Sequence, residues 1–206
     1  MKRQTAVRQS SLNSAPLFIA LFSILLPSRL VALDLDPVRV GGYDTSGFAL
    51  GVAVSGNYAF SGGGIYNSAG TVTVSDDTLS GNGARFGGGI YNSGGTVTVS
   101  NGSTLSDNLA YHADYPWTGG DGGGLYNDGG TVTISNSTLS GNTADVNFGR
   151  GGGLYNNSGT ATVENSSSIT GNTASDLGPD ALNLGVLYLD STSTIGVLDG
   201  NPAISF

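Results

Sequence analysis

The chain contains no cysteine, and this absence excludes disulfide bonds, thiolate nucleophiles and cysteine-ligated zinc. It also has a single histidine, a single tryptophan and only seven basic residues among 206. A fold without disulfides must be held together by its apolar core and by its backbone hydrogen bonds. The sequence therefore has to encode both in the pattern of its remaining residues.

Four of the seven basic residues lie in an N-terminal segment that has the order of a secretory signal peptide. Lys2, Arg3 and Arg8 precede an apolar run at 17–26, and the small residues at 30–32 offer a cleavage site. The apolar run is short for a membrane-spanning helix. We expect residues 1–32 to be a signal peptide, and no stable transmembrane helix to remain after its removal. The expected location is extracellular or at the cell surface, with outer-membrane association as one form of it.

The rest of the chain is strongly acidic. Residues 33–206 carry all fifteen carboxylates against three basic residues, Arg39, Arg85 and Arg150, which gives a formal charge of −12. Such a surface repels nucleic acids and anionic membranes. The composition therefore excludes nucleic-acid binding and leaves polysaccharides, host or cell-surface glycans and proteins as partners. It leaves the oligomeric state open.

One motif of about twenty residues occurs four times, at 62–82, 87–108, 122–142 and 151–172. Its tyrosine falls at Tyr66, Tyr91, Tyr126 and Tyr155, with spacings of 25, 35 and 29 residues. A period in this range indicates a solenoid, in which each unit stacks on its neighbours because it cannot bury its apolar face alone.

Within each copy the residues alternate with period two, which indicates strands. Three short strands per copy, separated by glycine, asparagine and serine turns, fit one turn of a parallel β-helix. The predicted inward stacks are Val72/Val97/Val132/Ala161, Val74/Val99/Ile134/Val163, Ile65/Ile90/Leu125/Leu154 and Leu79/Leu105/Leu139/Ile169. The predicted hydrogen-bonded asparagine ladders are Asn57/Asn82/Asn108/Asn142/Asn172 and Asn67/Asn92/Asn127/Asn156/Asn183.

These patterns predict an all-β protein, a single-stranded parallel β-helix (solenoid) of about five coils. Residues 33–61 contain apolar strands and one corner motif, so they are expected to form a partial first coil or cap. The β-helix repeats are expected over 62–183, followed by a last coil and cap over 184–206.

The repeat resembles that of polymorphic outer membrane proteins. The resemblance rests on Leu79-x-x-Asn82, Leu105-x-x-Asn108, Leu139-x-x-Asn142 and Ile169-x-x-Asn172, each linked to GGG-[Ile/Leu]-Tyr-Asn. It covers roughly 57–183 and departs from the family pattern in using Leu or Ile for Phe and Gly for Ala. More broadly, the chain is similar to bacterial surface proteins of the pectin-lyase-like class. The resemblance implies a right-handed β-helix and an exported, adhesin-like protein, for many of which no chemistry is known.

The connection before each GGG varies in length, and its longest version, 109–121, contains the only histidine and the only tryptophan. Insertions in solenoids collect on one face and often form the binding site. Aromatic rings beside arginine and aspartate suit the binding of a carbohydrate. Two alternatives for 109–121 remain, a surface loop whose aromatic residues pack on the coil beneath it and a catalytic site. The candidate binding residues are Arg85, Tyr111, His112, Asp114, Tyr115, Trp117, Asp121 and Arg150.

No set of catalytic residues can be assigned from the sequence. Asp121, alone among glycines, does not complete the calcium-binding repeat Gly-Gly-x-Gly-x-Asp, so we predict no structural metal and no cofactor. Glu164 occupies an outward strand position where the other copies have serine, which is typical of a solvated side chain.

Two outward columns complete the repeat. The four tyrosines are expected to stack outside the core beside Leu182, either as a stabilising stack or as a sugar-binding strip. The Thr-x-Thr pairs form a hydroxyl lattice that resembles the ice-binding face of some β-helical antifreeze proteins, which makes ice binding a remote alternative. Its threonines are Thr71/Thr73, Thr96/Thr98, Thr131/Thr133 and Thr160/Thr162.

The favoured hypothesis is a non-enzymatic, exported repeat protein, adhesin-like or structural, that binds glycans through the 109–121 loop. The alternative from a different class is a small polysaccharide lyase or glycoside hydrolase that uses the same face. A groove in which His112, Asp114, Asp121 and Arg150 converge would favour the enzyme, and a flat face would favour the scaffold.

Overall fold

A computed structural model describes residues 54–55, 57–112, 119–145 and 147–206, and within these ranges the chain forms strands and turns without a helix. The predicted signal peptide (1–32) and most of the predicted first cap (33–61) lie outside the described residues. No helix in the described part of the chain is long and apolar enough to cross a membrane.

The strands form three sheets in which all pairings are parallel. Sheet A contains, in order, β1 (Val54–Ser55), β5 (Thr78–Ser80), β9 (Thr104–Ser106), β12 (Thr138–Ser140), β15 (Ser168–Ile169) and β19 (Thr194–Ile195). Sheet B contains β2 (Tyr58–Ser61), β6 (Gly83–Phe86), β10 (Leu109–Ala110), β13 (Thr143–Ala144) and β16 (Thr173–Ala174). One half of sheet C contains β3 (Ile65–Asn67), β7 (Ile90–Asn92), β11 (Leu125–Ser135), β14 (Leu154–Glu164), β17 (Ala181–Asn183) and β20 (Leu198–Gly200). In the other half of sheet C, β4 (Thr71–Ser75) pairs with β8 (Thr96–Ser100), which pairs with the long strand β11. On the far side of the long strand β14, β18 (Val186–Leu189) pairs with β14 and β21 (Ile204–Ser205) pairs with β18.

The register places equivalent residues of successive repeats side by side, which makes the described residues a parallel β-solenoid. Leu79 pairs with Leu105, and Val72 pairs with Val97. The four predicted apolar stacks are thereby confirmed, and they merge into one continuous core. Each fully buried aliphatic side chain contributes about 1.5–3 kcal/mol to stability. Stacking therefore supplies the apolar burial that a single repeat lacks.

Both predicted asparagine ladders are confirmed. In the first, each Nδ2 donates to the Oδ1 of the next asparagine at 2.9–3.1 Å. In the second, the corresponding distances are 2.8–2.9 Å. The first ladder ends at the buried carboxylate of Asp180, whose Oδ1 accepts from the backbone and side chain of Asn172 and whose Oδ2 accepts from the amide of Val197. All the side-chain amides of this ladder thus donate in the same direction, towards the C-terminus, and the last one donates to the carboxylate of Asp180.

The triple glycine follows from local backbone geometry. Gly122 has φ of 70°, in the left-handed region that favours glycine. A Cβ on Gly123 would lie 2.5 Å from the carbonyl oxygen of Thr143 and would also meet the carbonyl oxygen of Gly152. A Cβ on Gly124 would lie 2.6 Å from the carbonyl oxygen of Gly153. The motif is therefore required by the close stacking of neighbouring backbones.

A turn near the C-terminus depends on one carboxylate. Asp190 accepts hydrogen bonds from the amides of Ser193 at 2.8 Å, Thr192 at 3.1 Å and Asn165 at 2.7 Å. Hydrogen bonding by Ser193, Asn165 and Thr192 lowers the pKa of Asp190 from 3.8 to about 2. The stabilisation from this lowered pKa is fully present above the unfolded value and is lost as the pH falls towards 2.

We therefore expect the side-chain carboxyl signal of Asp190 to titrate near pH 2 in an NMR experiment. Amide hydrogen exchange at Asn165 should accelerate as the carboxylate is protonated, beyond the change expected from the intrinsic pH dependence of exchange. In Asp190→Asn this additional acceleration should be absent. A titration midpoint near 3.8 would contradict the assignment.

Candidate functional site

The candidate site lies at the corner between sheets B and C, immediately before each GGG. Single parallel bridges join Phe86 to Asp121, Asp121 to Arg150 and Arg150 to Leu177, so residues far apart in the sequence form one column. A groove of about 650 Å³ opens beside this column. Its described charged residues are Arg85, Asp121, Arg150 and Asp176.

Asp121 and Arg150 form a bidentate ion pair in the groove. The Nε of Arg150 donates to Oδ1 of Asp121 at 3.0 Å, and Nη2 donates to Oδ2 at 2.8 Å. Asp121 is only 5% exposed. Burial raises the pKa of its carboxyl group, the hydrogen bonds and charge of Arg150 oppose that rise, and the same hydrogen bonds raise the pKa of Arg150. Because both carboxylate oxygens accept from the guanidinium fork, the geometry is that of an ionised pair.

Three of the four described aromatic residues that line the groove, Phe86, Tyr126 and Tyr155, pack in a second apolar cluster outside the core. The rings of Tyr66 and Tyr91 stack at 5.2 Å, as do those of Tyr91 and Tyr126, while Tyr155 meets Tyr126 edge-on at 4.9 Å. Tyr126, Tyr155 and Leu182 form the buried part of this cluster, which confirms the predicted outward tyrosine stack beside Leu182. Phe86, Tyr126, Tyr155 and Phe148 contribute to the lining of the groove.

Two of the four tyrosine hydroxyls, those of Tyr91 and Tyr155, donate hydrogen bonds to polar side chains at the next corner. Tyr91 donates to Oδ2 of Asp128 at 3.1 Å, and Tyr155 donates to Oδ1 of Asn157 at 3.1 Å. Asn157 in turn donates to Oδ1 of Asp128 at 2.9 Å. Burial raises the pKa of Tyr91, Tyr126 and Tyr155. These phenols therefore remain neutral at physiological pH.

Arg85 is held by aromatic rings. Its guanidinium carbon lies 4.7 Å from the ring centre of Phe86 and 5.6 Å from that of Phe60. These distances are those of cation–π contacts. The two rings thus position the guanidinium at the edge of the groove.

The structure brings together three of the eight sequence-predicted site residues, namely Arg85, Asp121 and Arg150. Tyr111 and His112 are half-buried after β10 and do not line the groove. The remaining three, Asp114, Tyr115 and Trp117, lie outside the described residues.

Sequence reasoning missed the groove residues Asp176, Asn157 and Leu184, and assigned Tyr126 and Tyr155 only to the outward column. Asp176 could have been found from the repeat, because 178–183 is a degenerate copy of the GGG-[Ile/Leu]-Tyr-Asn motif. Leu177, directly before this copy, pairs with Arg150 at the same corner, and Asp176 is its neighbour. In the described ranges, no group of three or more histidine or acidic side chains is arranged to hold a metal ion.

The Thr-x-Thr columns lie on a different part of sheet C, in register over four strands. Thr71, Thr96, Thr131 and Thr160 pair in sequence, and Thr73, Thr98, Thr133 and Thr162 do the same. The column ends at Val186 and Tyr188 of β18. The predicted threonine columns are thus in register across four strands, and ice binding stays a prediction.

Comparison of the chain with protein-family models, with curated proteins and with solved structures finds no match.

Proposed function

We propose that this chain is an exported or cell-surface repeat protein, adhesin-like or structural, that binds glycans without chemistry through the groove between Arg85 and Arg150. In this proposal the solenoid is a right-handed parallel β-helix of about five coils. The observation that carries it is the combination of the exposed ring of Phe148 with the fixed polar groups of Asp121 and Arg150 in one concave surface.

The composition of the groove matches what a sugar presents. Pyranose rings have apolar faces that pack on aromatic side chains, and hydroxyl edges that require fixed hydrogen-bonding partners. Phe148 is 49% exposed beside the groove, and Asp121 with Arg150 supplies oriented polar groups. Because the solenoid backbone fixes these groups, binding would require little ordering of the protein.

The second candidate is a small polysaccharide lyase or glycoside hydrolase acting on the same face. It is favoured by the raised pKa of Asp121 and by the presence of Asp176 in the same groove. Two considerations oppose it. Both oxygens of Asp121 are engaged by Arg150. The backbones of Asp121 and Asp176 are about two strand spacings apart, or roughly 10 Å, whereas the two carboxyl groups of a retaining enzyme lie about 5–5.5 Å apart.

The test is co-sedimentation of the purified protein with a panel of insoluble glycans, together with analysis of the supernatant for cleavage products. We expect binding without cleavage, and we expect Phe148→Ala to weaken it about tenfold because the variant loses the apolar contact with a sugar face. Phe206→Ala is the matched control, since Phe206 is also an exposed phenylalanine (61%) but does not line the groove.

Equal binding by the wild type and Phe148→Ala would contradict a role for the groove. Cleavage products that disappear in Asp121→Asn would instead establish the enzyme. Failure to bind any glycan would refute the proposed function.

A further inference from the structure

Among the described residues Arg85 forms no salt bridge, although its charge acts on Asp121 and opposes the rise in the pKa of that carboxyl group. Its guanidinium makes ring contacts, and its Nε is buried with no hydrogen-bond partner. In the described part of the chain it is the one buried side-chain nitrogen or oxygen atom left without a partner. A buried donor without a partner costs about 1–3 kcal/mol, so such an atom in a native protein requires an explanation.

The described carboxylates of the groove form no salt bridge with Arg85. Asp121 is adjacent, since its amide donates to the carbonyl of Arg85 at 3.0 Å, but both of its side-chain oxygens are taken by Arg150. Asp176 lies beside the other end of the bridge column, and its backbone is about three strand spacings, or roughly 14 Å, from that of Arg85. Among the described residues of the groove, one arginine is therefore paired in a salt bridge and the other is not.

The surroundings of Arg85 preserve its capacity to bind an anion. A guanidinium presents five N–H donors in a planar fork that matches a carboxylate. The rings of Phe86 and Phe60 hold the fork in place and offer no competing acceptor. An anion that reaches this end of the groove would meet an oriented, partly desolvated cation.

The net charge of the protein limits which anions can reach it. Residues 33–206 carry a formal charge of −12, and the described part of the groove contains two arginines, Arg85 and Arg150. A long polyanion would extend past the groove over an acidic surface, where repulsion acts within a Debye length of about 8 Å. A ligand with one acidic group and a neutral remainder avoids that repulsion.

We infer that Arg85 binds the carboxylate of a single acidic sugar residue at the end of an otherwise neutral glycan. This inference rests on the proposed function and specifies its ligand class. The carboxylate pairs with the guanidinium fork, and the adjoining neutral sugars lie along the exposed ring of Phe148 towards Asp176.

The test compares three probes on the intact protein: a neutral oligosaccharide ending in one glucuronic acid, its carboxyl-reduced counterpart, and a polyglucuronate. We expect the singly acidic probe to bind about 10- to 100-fold more tightly than the reduced one, the range of a charge-assisted hydrogen-bonded pair. The polyglucuronate should bind more weakly per acidic group, most clearly at low salt.

Two variants assign the preference to Arg85. Arg85→Gln should reduce the ratio between acidic and reduced probes to near one, and Arg85→Lys should give an intermediate ratio because it keeps the charge and loses the fork. A preference that persists in Arg85→Gln would overturn the inference, as would tightest binding of the polyglucuronate. Equal binding of both oligosaccharides by the wild type would overturn the inference and leave glycan binding intact, whereas no binding of any probe would refute both.

A second measurement does not depend on glycan affinity or on the folding of a variant. Titration of free glucuronate into the wild-type protein should shift the Nε–Hε NMR signal of Arg85 saturably, while the paired Arg150 signal should move less. No shift at Arg85, or an equal shift at both arginines, would overturn the inference.

Discussion

Replacing Gly123 with alanine is expected to destabilise the solenoid by at least about 3 kcal/mol, at or above the upper end of the usual cost of overpacking. The added methyl group would lie 2.5 Å from the carbonyl oxygen of Thr143 and would meet that of Gly152. Both obstacles are backbone atoms of the stack, and neither can rotate away as a side chain can. The neighbouring repeats would have to separate, and this would weaken the hydrogen bonds between them.

The measurement is urea denaturation of the wild type, Gly123→Ala and Gly70→Ala. Gly70 is the matched control because it is exposed, and a Cβ there would have as its nearest neighbour the Oδ1 of Asn67 at 3.5 Å. Gly70→Ala should be neutral or stabilising by about 0.4–1 kcal/mol, since alanine reduces the entropy of the unfolded chain. Equal midpoints for Gly123→Ala and the wild type would show that the close backbone contact is not required.

Asn108→Ala is expected to cost a similar amount by a different mechanism. The Oδ1 of Asn108 accepts from the backbone and the side chain of Asn82, and its Nδ2 donates to the carbonyl of Leu79 and to Oδ1 of Asn142. Alanine removes all four hydrogen bonds at a fully buried position of the ladder. Each polar group left without a partner costs about 1–3 kcal/mol. We therefore expect a loss of at least about 3 kcal/mol.

Ser106→Ala is the control for this experiment, because Ser106 is a half-exposed residue of the same repeat and its loss should change stability by less than about 0.5 kcal/mol. Combining Asn108→Ala with Asn142→Ala in a double-mutant cycle measures the coupling along the ladder. We expect the double variant to lose less than the sum of the single losses, since both remove the same hydrogen bond. A loss below about 1 kcal/mol for Asn108→Ala would contradict the structural role of the ladder.

The stacking of residues was predictable because the repeat imposes it. Once Tyr66, Tyr91, Tyr126 and Tyr155 are aligned, period-two alternation decides which residues face inward, and parallel pairing puts identical residues next to one another. The apolar stacks and both asparagine ladders follow from that alignment alone.

One column of the same repeat was missed although its residues are aligned. The hydroxyl of Ser103 accepts from the amide of Asp77, and that of Ser167 accepts from the amide of Ser137, each at 3.2 Å. This corner position is aspartate in the first copy (Asp77) and serine in the other three. A column of mixed residues gives a weaker sequence signal than a column of identical ones.

The groove was not predictable as a groove. Arg85, Asp121 and Arg150 were expected on one face, but the bidentate geometry of one arginine and the isolation of the other depend on side-chain positions at corners of unequal length. The connection before each GGG varies in length between repeats, so the repeat period does not predict where its side chains lie. The contact between Arg85 and Phe60 likewise depends on the packing of neighbouring repeats.

By itself the sequence determined the strands, their parallel order, the core and the asparagine ladders, because each repeat has glycines, alternating apolar residues and asparagines at the same positions. The tertiary structure decided how much the equivalent residues of different repeats are exposed. Tyr66 and Tyr155 occupy the same place in the motif, yet Tyr66 is 55% exposed and Tyr155 only 2%. The guanidinium of Arg150 covers the ring of Tyr155 at 5.3 Å, and Leu182 of the next strand packs beside it. Burial at a corner is set by what neighbouring repeats place over it, and that information is not contained in the repeat itself.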